Sequence, residues 1–343
     1  MLFLADLSPS QVEAWLAERG QPAYRARQVL DWLYRRWAGA FADMTDLPAG
    51  LRTQLAEGVQ LSSLCRLREQ QDAEGTRKFL FGLADGQRIE TVLIRAPGRQ
   101  TVCVSTQVGC PVRCTFCASG RDGWQRDLGA AEIVDQVLSV CRELGQRVSH
   151  VVVMGMGEPL LNLEHLIPAL DALCDPLRLG LGARHVTVST SGIVPGIRRL
   201  ADEGRQWNLA LSLHAPSDAG RQRLIPAAHR YPLAEVLAAC RYYEQRTGRM
   251  VTLEYALMAG VNDGAEEGEA LARLARELHA KVNLIPYNAT GARYAAPALR
   301  GADRFLAGLR ARGVQATLRR EKGSGIGAAC GQLRGAEAPV QLP

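Results

Sequence analysis

Apolar residues recur along this chain with two different periods, and the change of period divides it. Over residues 1–62 the spacing is helical. SPSQVEAWLAERG opens on a serine suited to capping a helix and ends at Gly20. AYRARQVLDWLYRRWAG sets Val29, Leu30, Leu33, Tyr34 and Trp37 on one stripe. MTDLPAGLRTQLAEG predicts a turn and then a short helix. Residues 76–94 take the period of strands. TRKFLFGL and QRIETVLI flank a turn at Asp85–Gly86, which is the pattern of a hairpin. Glu90 falls among β-formers there, where an exposed strand carboxylate is the ordinary expectation.

From about residue 100 the pattern alternates. TVCVS, HVVVMG, HVTVST, LALSLH, VTLEYAL and KVNLIP are short apolar runs, separated by amphipathic stretches such as AAEIVDQVLSVCRELG and LAEVLAACRYYEQRTG. Such repetition predicts an α/β fold with parallel strands inside and helices outside. Polar residues gather where the strands end: GEP, STSG, SLH and PYN. That favours a partial (β/α)6 barrel over a flat sheet, because a barrel places chemistry at that rim. The expected organisation is a helical domain over 1–62, a β-hairpin connector over 63–98, the barrel over 99–335 and a tail over 336–343. No internal repeat or low-complexity tract interrupts it.

Composition changes this picture little. The chain has 343 residues, 47% apolar and 22% charged, an ordinary globular balance. No stretch reaches the roughly 18 apolar residues that a membrane helix needs. MLFLADLSPS lacks the basic and apolar regions of a secretory signal. Its nine cysteines are therefore expected in a reducing, cytoplasmic compartment, where clustered thiols more often bind metal or react than form structural disulfides. Net charge is +6, compatible with a nucleic-acid partner without demanding one. Only Lys78, Lys281 and Lys322 are lysines, so genomic bias accounts for the arginine excess equally well. On charge alone Arg25, Arg27, Arg35 and Arg36 read as a solvated helix face; the functional alternative is a small RNA-binding module contacting phosphates.

The candidate chemistry lies in CVSTQVGCPVRCTFCASG. Cys110, Cys114 and Cys117 have C-x3-C-x2-C spacing, and Cys103 precedes them on its own. Close-set thiolates bind zinc or iron–sulfur clusters, and a closed structural site wants four ligands. Three would leave one iron of a four-iron cluster open to a ligand, so the spacing favours an open iron–sulfur site over a zinc knuckle. Gly109, Pro111 and Gly120 supply the turns that wrap such a loop. Cys65, Cys141, Cys174 and Cys240 lie in apolar or helical contexts and are expected to be packed. Arg113 and Arg121 flank the loop, as phosphate ligands or as solvated loop residues.

This loop after a first barrel strand, with GEP after the second, resembles the radical S-adenosylmethionine (SAM) superfamily. VVVMGMGEPLLN, VSTSGIVPGI, LALSLHAP, NLIPYN and AACGQLRG extend the likeness to the RNA adenine methyltransferases typified by RlmN and Cfr. YRARQVLDWLY, FADMTDLP and the LR after it resemble the small N-terminal RNA-binding domain of that family. The resemblance implies a [4Fe–4S] cluster on Cys110, Cys114 and Cys117, and two SAM molecules per turnover. One would methylate Cys330; the other, cleaved reductively, would activate that methyl for addition to adenine. Cys103 would resolve the resulting adduct through a disulfide with Cys330. Glu90 matches the family's proton acceptor, although the sequence leaves the choice between Glu90 and Cys103 open. Gly157, Glu158, Ser189, Ser212, Leu213, His214 and Asn288 match SAM contacts.

Further implications are methylation at carbon 2 of adenosine in 23S rRNA and tRNA, an electron donor such as flavodoxin or ferredoxin, and a monomer. The alternatives are carbon-8 methylation as in Cfr, a radical SAM enzyme with a different RNA or a non-RNA substrate, and a non-catalytic iron–sulfur RNA-binding protein. The paired Cys103 and Cys330 argue against a non-RNA substrate and against the non-catalytic protein, because neither needs them. One departure stands out. The family carries acids before the C-terminal cysteine, where Ser324, Gly325 and Gly327 stand here, so a more flexible segment is expected. LIPAAHRYP also lacks the asparagine usual after its proline.

Overall fold

The computed structural model describes residues 2–319 and 322–335, so the expected tail over 336–343 lies outside the described residues. Three helices open the chain: α1 (Pro9–Ala17), α2 (Tyr24–Tyr34) and α3 (Ala49–Gly58). Ser8 caps α1 reciprocally with Gln11: its hydroxyl accepts from the Gln11 N–H, and its own N–H donates to Gln11 Oε1.

The strands that follow are β1 (Leu64–Gln71), β2 (Arg77–Leu83), β3 (Arg88–Ala96), β4 (Arg99–Cys103), β5 (Gln107–Gly109), β6 (Trp124–Asp127), β7 (His150–Val153), β8 (Val186–Thr190), β9 (Asn208–Ser212), β10 (Thr252–Leu257), β11 (Lys281–Pro286) and β12 (Ala316–Leu318). Between and after them lie α4 (Ala130–Leu144), α5 (Leu163–Cys174), α6 (Val194–Asp202), α7 (Asp218–Leu224), α8 (Leu233–Thr247), α9 (Ala265–Glu277) and α10 (Leu299–Ala311).

Ten strands form one open sheet in the order β1-β2-β3-β4-β7-β8-β9-β10-β11-β12. From β4 onward every neighbour is parallel. The six apolar runs of the alternating region are β4 and β7 to β11; a short seventh parallel strand, β12, follows them. The hairpin forms with its turn at Gly86, whose φ is +81°. It joins the barrel sheet directly, because β3 pairs antiparallel with β4 and sets Val92 opposite Cys103. β1 went unforeseen: LCRLREQQ lacks an apolar alternation because this edge strand is mostly solvent-facing. Cys65 accordingly stands exposed on β1, not packed as expected, whereas Cys141 and Cys240 are buried and Cys174 is half-buried.

The N-terminal helices share one apolar core with the outer helices and the sheet. Polar ties reinforce the junction. Asp6 Oδ1 accepts from the Ala131 N–H at 2.8 Å, and Arg142 donates to the Trp37 and Ala38 carbonyls at 2.9 Å each. Buried Asp135 accepts from the Ser63 N–H and hydroxyl, both at 2.6 Å; burial raises its carboxyl to about 6. Arg25, Arg35 and Arg36 are spent within the molecule, on Gln28, Asp31, Asp46 and the Pro176 carbonyl. Arg27 is exposed and makes no hydrogen bond or ion pair among the described residues.

Candidate active site

Two adjoining cavities open at the C-terminal ends of the parallel strands. The larger, about 980 Å³, is lined by Cys110, Cys114 and Cys117, and by Gly157, Glu158, Ser189, Ser212, His214, Asn288 and Cys330. The smaller, about 690 Å³, is lined by Cys103, Cys117, Ser119, Asn288, Arg319 and Cys330, among others. Cys117, Asn288, Arg319 and Cys330 belong to both, so the two are continuous.

The cysteine loop is wrapped by backbone that admits no side chain. A Cβ on Gly109 (φ +74°) would fall 1.8 Å from the Gly123 carbonyl oxygen, and one on Gly120 would fall 2.7 Å from Arg113 Cα. Arg113 itself has a left-handed backbone, φ +54°. The Arg121 guanidinium donates to the Thr290 carbonyl, so it braces the loop within the protein. Burial pushes all three thiols up, Cys110 to about 12, and the thiolates of Cys110, Cys114 and Cys117 would repel one another. A bound cation removes that penalty by holding them deprotonated. Among the described residues no three His, Cys, Asp or Glu side chains converge as on a single metal ion. Three thiols on one cavity wall, with no fourth thiol of the same loop beside them, fit a cluster that keeps one position open to a ligand.

Glycine also shapes the opposite wall. Gly157 has φ +110°, and a Cβ there would meet Gln107 Cβ and Thr106 Oγ1 at 2.8 Å. This turn aims Glu158, whose N–H donates to Gln107 Oε1 and whose carboxylate accepts from the Ser191 and Leu160 N–H groups. Burial still raises its pKa. Ser189, one residue before the end of β8, and Ser212, which ends β9, have hydroxyls 3.3 Å apart. His214 Nδ1 accepts from the Ala256 N–H at 2.9 Å, which puts the ring proton on Nε2. Burial and Arg221 lower its pKa to about 3, so it is neutral at physiological pH. Leu213 lines neither cavity; its side chain lies in the main core, between two residues that do line one.

The distant Cys330 is brought in by a C-terminal strap over 322–335. Asn288 donates to the Cys330 carbonyl at 3.0 Å, and the Ala118 N–H donates to the Gly331 carbonyl at 2.7 Å. Arg319 Nη1 stands 3.2 Å from Cys330 Sγ. The pKa of Arg319 is raised, first by Cys330 and then by Glu254 and Cys103. Sequence reasoning missed Arg319 and Glu254. Glu254 sits inside VTLEYAL, where only its burial against the cavity reveals it. Glu90 departs from expectation in two ways. It is buried, at 6% exposure, because β3 is covered on that face by the strap. It also lines neither cavity.

Comparison with known proteins gives the family and the fold. Residues 104–275 match the family described as Radical SAM superfamily, and residues 3–61 match the Ribosomal RNA large subunit methyltransferase N-terminal domain. The "Probable dual-specificity RNA methyltransferase RlmN" of Symbiobacterium thermophilum is 50% identical over 336 residues, 96% of this chain and 91% of that one. The "Dual-specificity RNA methyltransferase RlmN" of Anaeromyxobacter dehalogenans is 47% identical over 98% of this chain and 92% of its own length. The chain belongs to the radical SAM RNA methyltransferases of the RlmN type. A crystal structure of a radical SAM methyltransferase from Sphaerobacter thermophilus superposes with a TM-score of 0.95, at 48% identity over 98% of this chain and all of that one. The superfamily's cofactors are SAM and a [4Fe–4S] cluster, and the three-cysteine wall fits the latter. Among the described residues no helix is long and apolar enough to cross a membrane.

Proposed function

We propose that this enzyme methylates carbon 2 of adenosine in 23S rRNA and tRNA, through a methyl group carried on Cys330. The observation that carries the proposal is the shared cavity system: Cys103 and Cys330 line one chamber, and Cys330 also faces the chamber lined by the three clustered cysteines. Cys110, Cys114 and Cys117 would hold the cluster. Gly157, Glu158, Ser189, Ser212, His214 and Asn288 would bind SAM, with Leu213 anchoring its two neighbours in the core. Cys330 would accept the methyl of a first SAM by polar transfer: its thiol proton leaves, the methyl–sulfonium bond breaks, and the methyl is bound to Sγ. When bound, the cluster supplies the electron that cleaves a second SAM to a carbon radical able to take hydrogen from that methyl. Arg319 keeps the Cys330 sulfur facing the cavity. The methylene carbon left on Cys330 bonds to carbon 2 of the adenine, and the adduct gives up one electron to the electron-carrier chain together with its carbon-2 proton. Cys103, losing its own thiol proton, then attacks Cys330 Sγ; the sulfur–carbon bond breaks, its electrons pass to the carbon, which takes a proton, and a disulfide forms. Of the two groups considered as proton acceptor, Cys103 lines the cavity and Glu90 does not. The enzyme acts as a cytoplasmic monomer fed by an electron carrier of the flavodoxin or ferredoxin class.

The test is a Cys103→Ala protein in a single turnover with labelled RNA. A protein-sized RNA band on a denaturing gel is expected, absent when Cys330→Ala is added. Normal turnover by Cys103→Ala would overturn the assignment. Nucleoside mass spectrometry of the wild-type product should give 2-methyladenosine, and 8-methyladenosine would refute the regiochemistry.

A further inference from the structure

Glu90 is fully occupied, and its partners point to a role. Its Oε1 lies 2.8 Å from Lys78 Nζ on the neighbouring strand. Its Oε2 accepts from the backbone N–H of Arg334 at 2.7 Å and of Gly335 at 3.1 Å. These residues close the strap that carries Cys330. Gly335 has φ +71°, and a Cβ there would fall 2.8 Å from the Arg88 carbonyl oxygen. Only glycine lets the chain come down onto the carboxylate. The Arg334 side chain meanwhile grips Asp122 of the cluster loop with two hydrogen bonds, at 2.8 and 2.9 Å. Ser119, in the same loop, donates to the Leu333 carbonyl at 2.5 Å.

Lys78 also reaches the Gly327 carbonyl at 3.4 Å. Gly327 stands where relatives of this family were expected to carry an acid, and a Cβ there would lie 3.3 Å from Lys78 Nζ. An aspartate at that position would compete with Glu90 for the lysine. In this chain Glu90 is the only carboxylate paired with Lys78 among the described residues.

We infer that Glu90 is a positioning residue: it anchors the strap beyond Cys330 and so holds the Cys330 sulfur in the cavity, instead of taking a proton from the adenine adduct. The inference rests on the reading that Cys330 accepts the methyl. The two roles separate cleanly. An anchor is needed before RNA ever binds, when Cys330 receives its methyl. A proton acceptor is needed only after the adduct has formed.

The experiment uses full-length, cluster-loaded protein with unmethylated Cys330, as wild type, E90Q and G335A. Glutamine keeps the volume but has one acceptor oxygen for three donors. Hydrogen exchange of the amides at 333–335 should speed up at least tenfold in E90Q and G335A. Methylation of Cys330 by SAM alone, followed as a 14 Da gain in its peptide, should slow at least fivefold. Iron content and SAM affinity should stay within twofold of wild type. Wild-type exchange in either variant overturns the anchor. So does fast exchange with an undiminished rate of Cys330 methylation. E90Q that methylates Cys330 normally and then accumulates the RNA adduct would restore the proton acceptor. A Cys330→Ala control separates the underlying reading: should it still yield methylated RNA, that reading fails, while the exchange result on Glu90 stands by itself.

Discussion

Cys103 ends β4 at 7% exposure, and burial pushes its thiol up to about 12, with Cys330 adding to the rise and Arg319 opposing it. A raised thiol pKa means less thiolate at every lower pH. Below the pKa the thiolate fraction, and with it reactivity, grows about tenfold per pH unit. Alkylation of Cys103 by iodoacetamide should therefore be at least roughly a hundredfold slower than that of a free cysteine at pH 7. It should also climb through pH 9 without a plateau. Peptide mapping at several pH values checks this, and a plateau near pH 8 would show a thiol tuned for attack in the resting enzyme. A buried, unionised thiol suits a resolving group that must not react until the adduct places a target before it.

At the scale of elements, chemistry gathers where parallel strands stop and glycine turns the chain. The β7 exit passes through Gly155 and Gly157, where an added Cβ would meet neighbours at 2.7 and 2.8 Å. Gly157→Ala should cost about 1–3 kcal/mol of stability through its strained backbone. It should also weaken SAM binding at least tenfold, because Glu158 would be displaced. Thermal melting and equilibrium dialysis would measure both; unchanged SAM affinity would remove the turn from the site. The β9 exit relies on a different device. Asn262, buried beyond β10, donates to the His214 and Ala256 carbonyls at 2.8 and 2.7 Å and accepts from the Met258 N–H at 2.7 Å. One side chain thus satisfies three backbone groups and sets two strand ends together.

For the molecule as a whole, the helical module over 1–62 is built into the barrel. Its apolar stripe, including Val29 and Leu33, shares a core with Ile133, Val134 and Val137 of α4. Deleting the module should therefore cost folded protein, visible as a lost cooperative melt, and could not test whether it binds RNA. A point substitution can. Arg25, Arg35 and Arg36 are held by internal partners, which leaves Arg27 as the module's candidate phosphate contact. Arg27→Ala should weaken RNA binding and flatten its salt dependence by about 0.7–0.9 in log–log slope, the release from one phosphate. Titrations at two ionic strengths decide this; an unchanged slope returns Arg27 to the solvated helix face.

Much of this was legible in the sequence, for local reasons. Periodicity reports which face of an element is buried, so α1, α2, the hairpin and the six principal parallel strands were readable from their apolar spacing. C-x3-C-x2-C reports a loop that sets three thiols on one cavity wall, and GEP reports a turn that only glycine permits. What tertiary structure decided lies between segments far apart in sequence. Nothing local in LCRLREQQ marks an edge strand, since its pairing comes from β2 and its faces meet water. Nothing local in VTLEYAL or TLRREK places Glu254 and Arg319 on the cavity that Cys330 lines. Glu90 reads as an exposed strand residue until a segment some 240 residues later covers it and donates two backbone N–H groups to its carboxylate. A side chain's neighbours across the fold are set by chain crossings that local periodicity does not encode, and those neighbours separate an anchoring carboxylate from a reacting one.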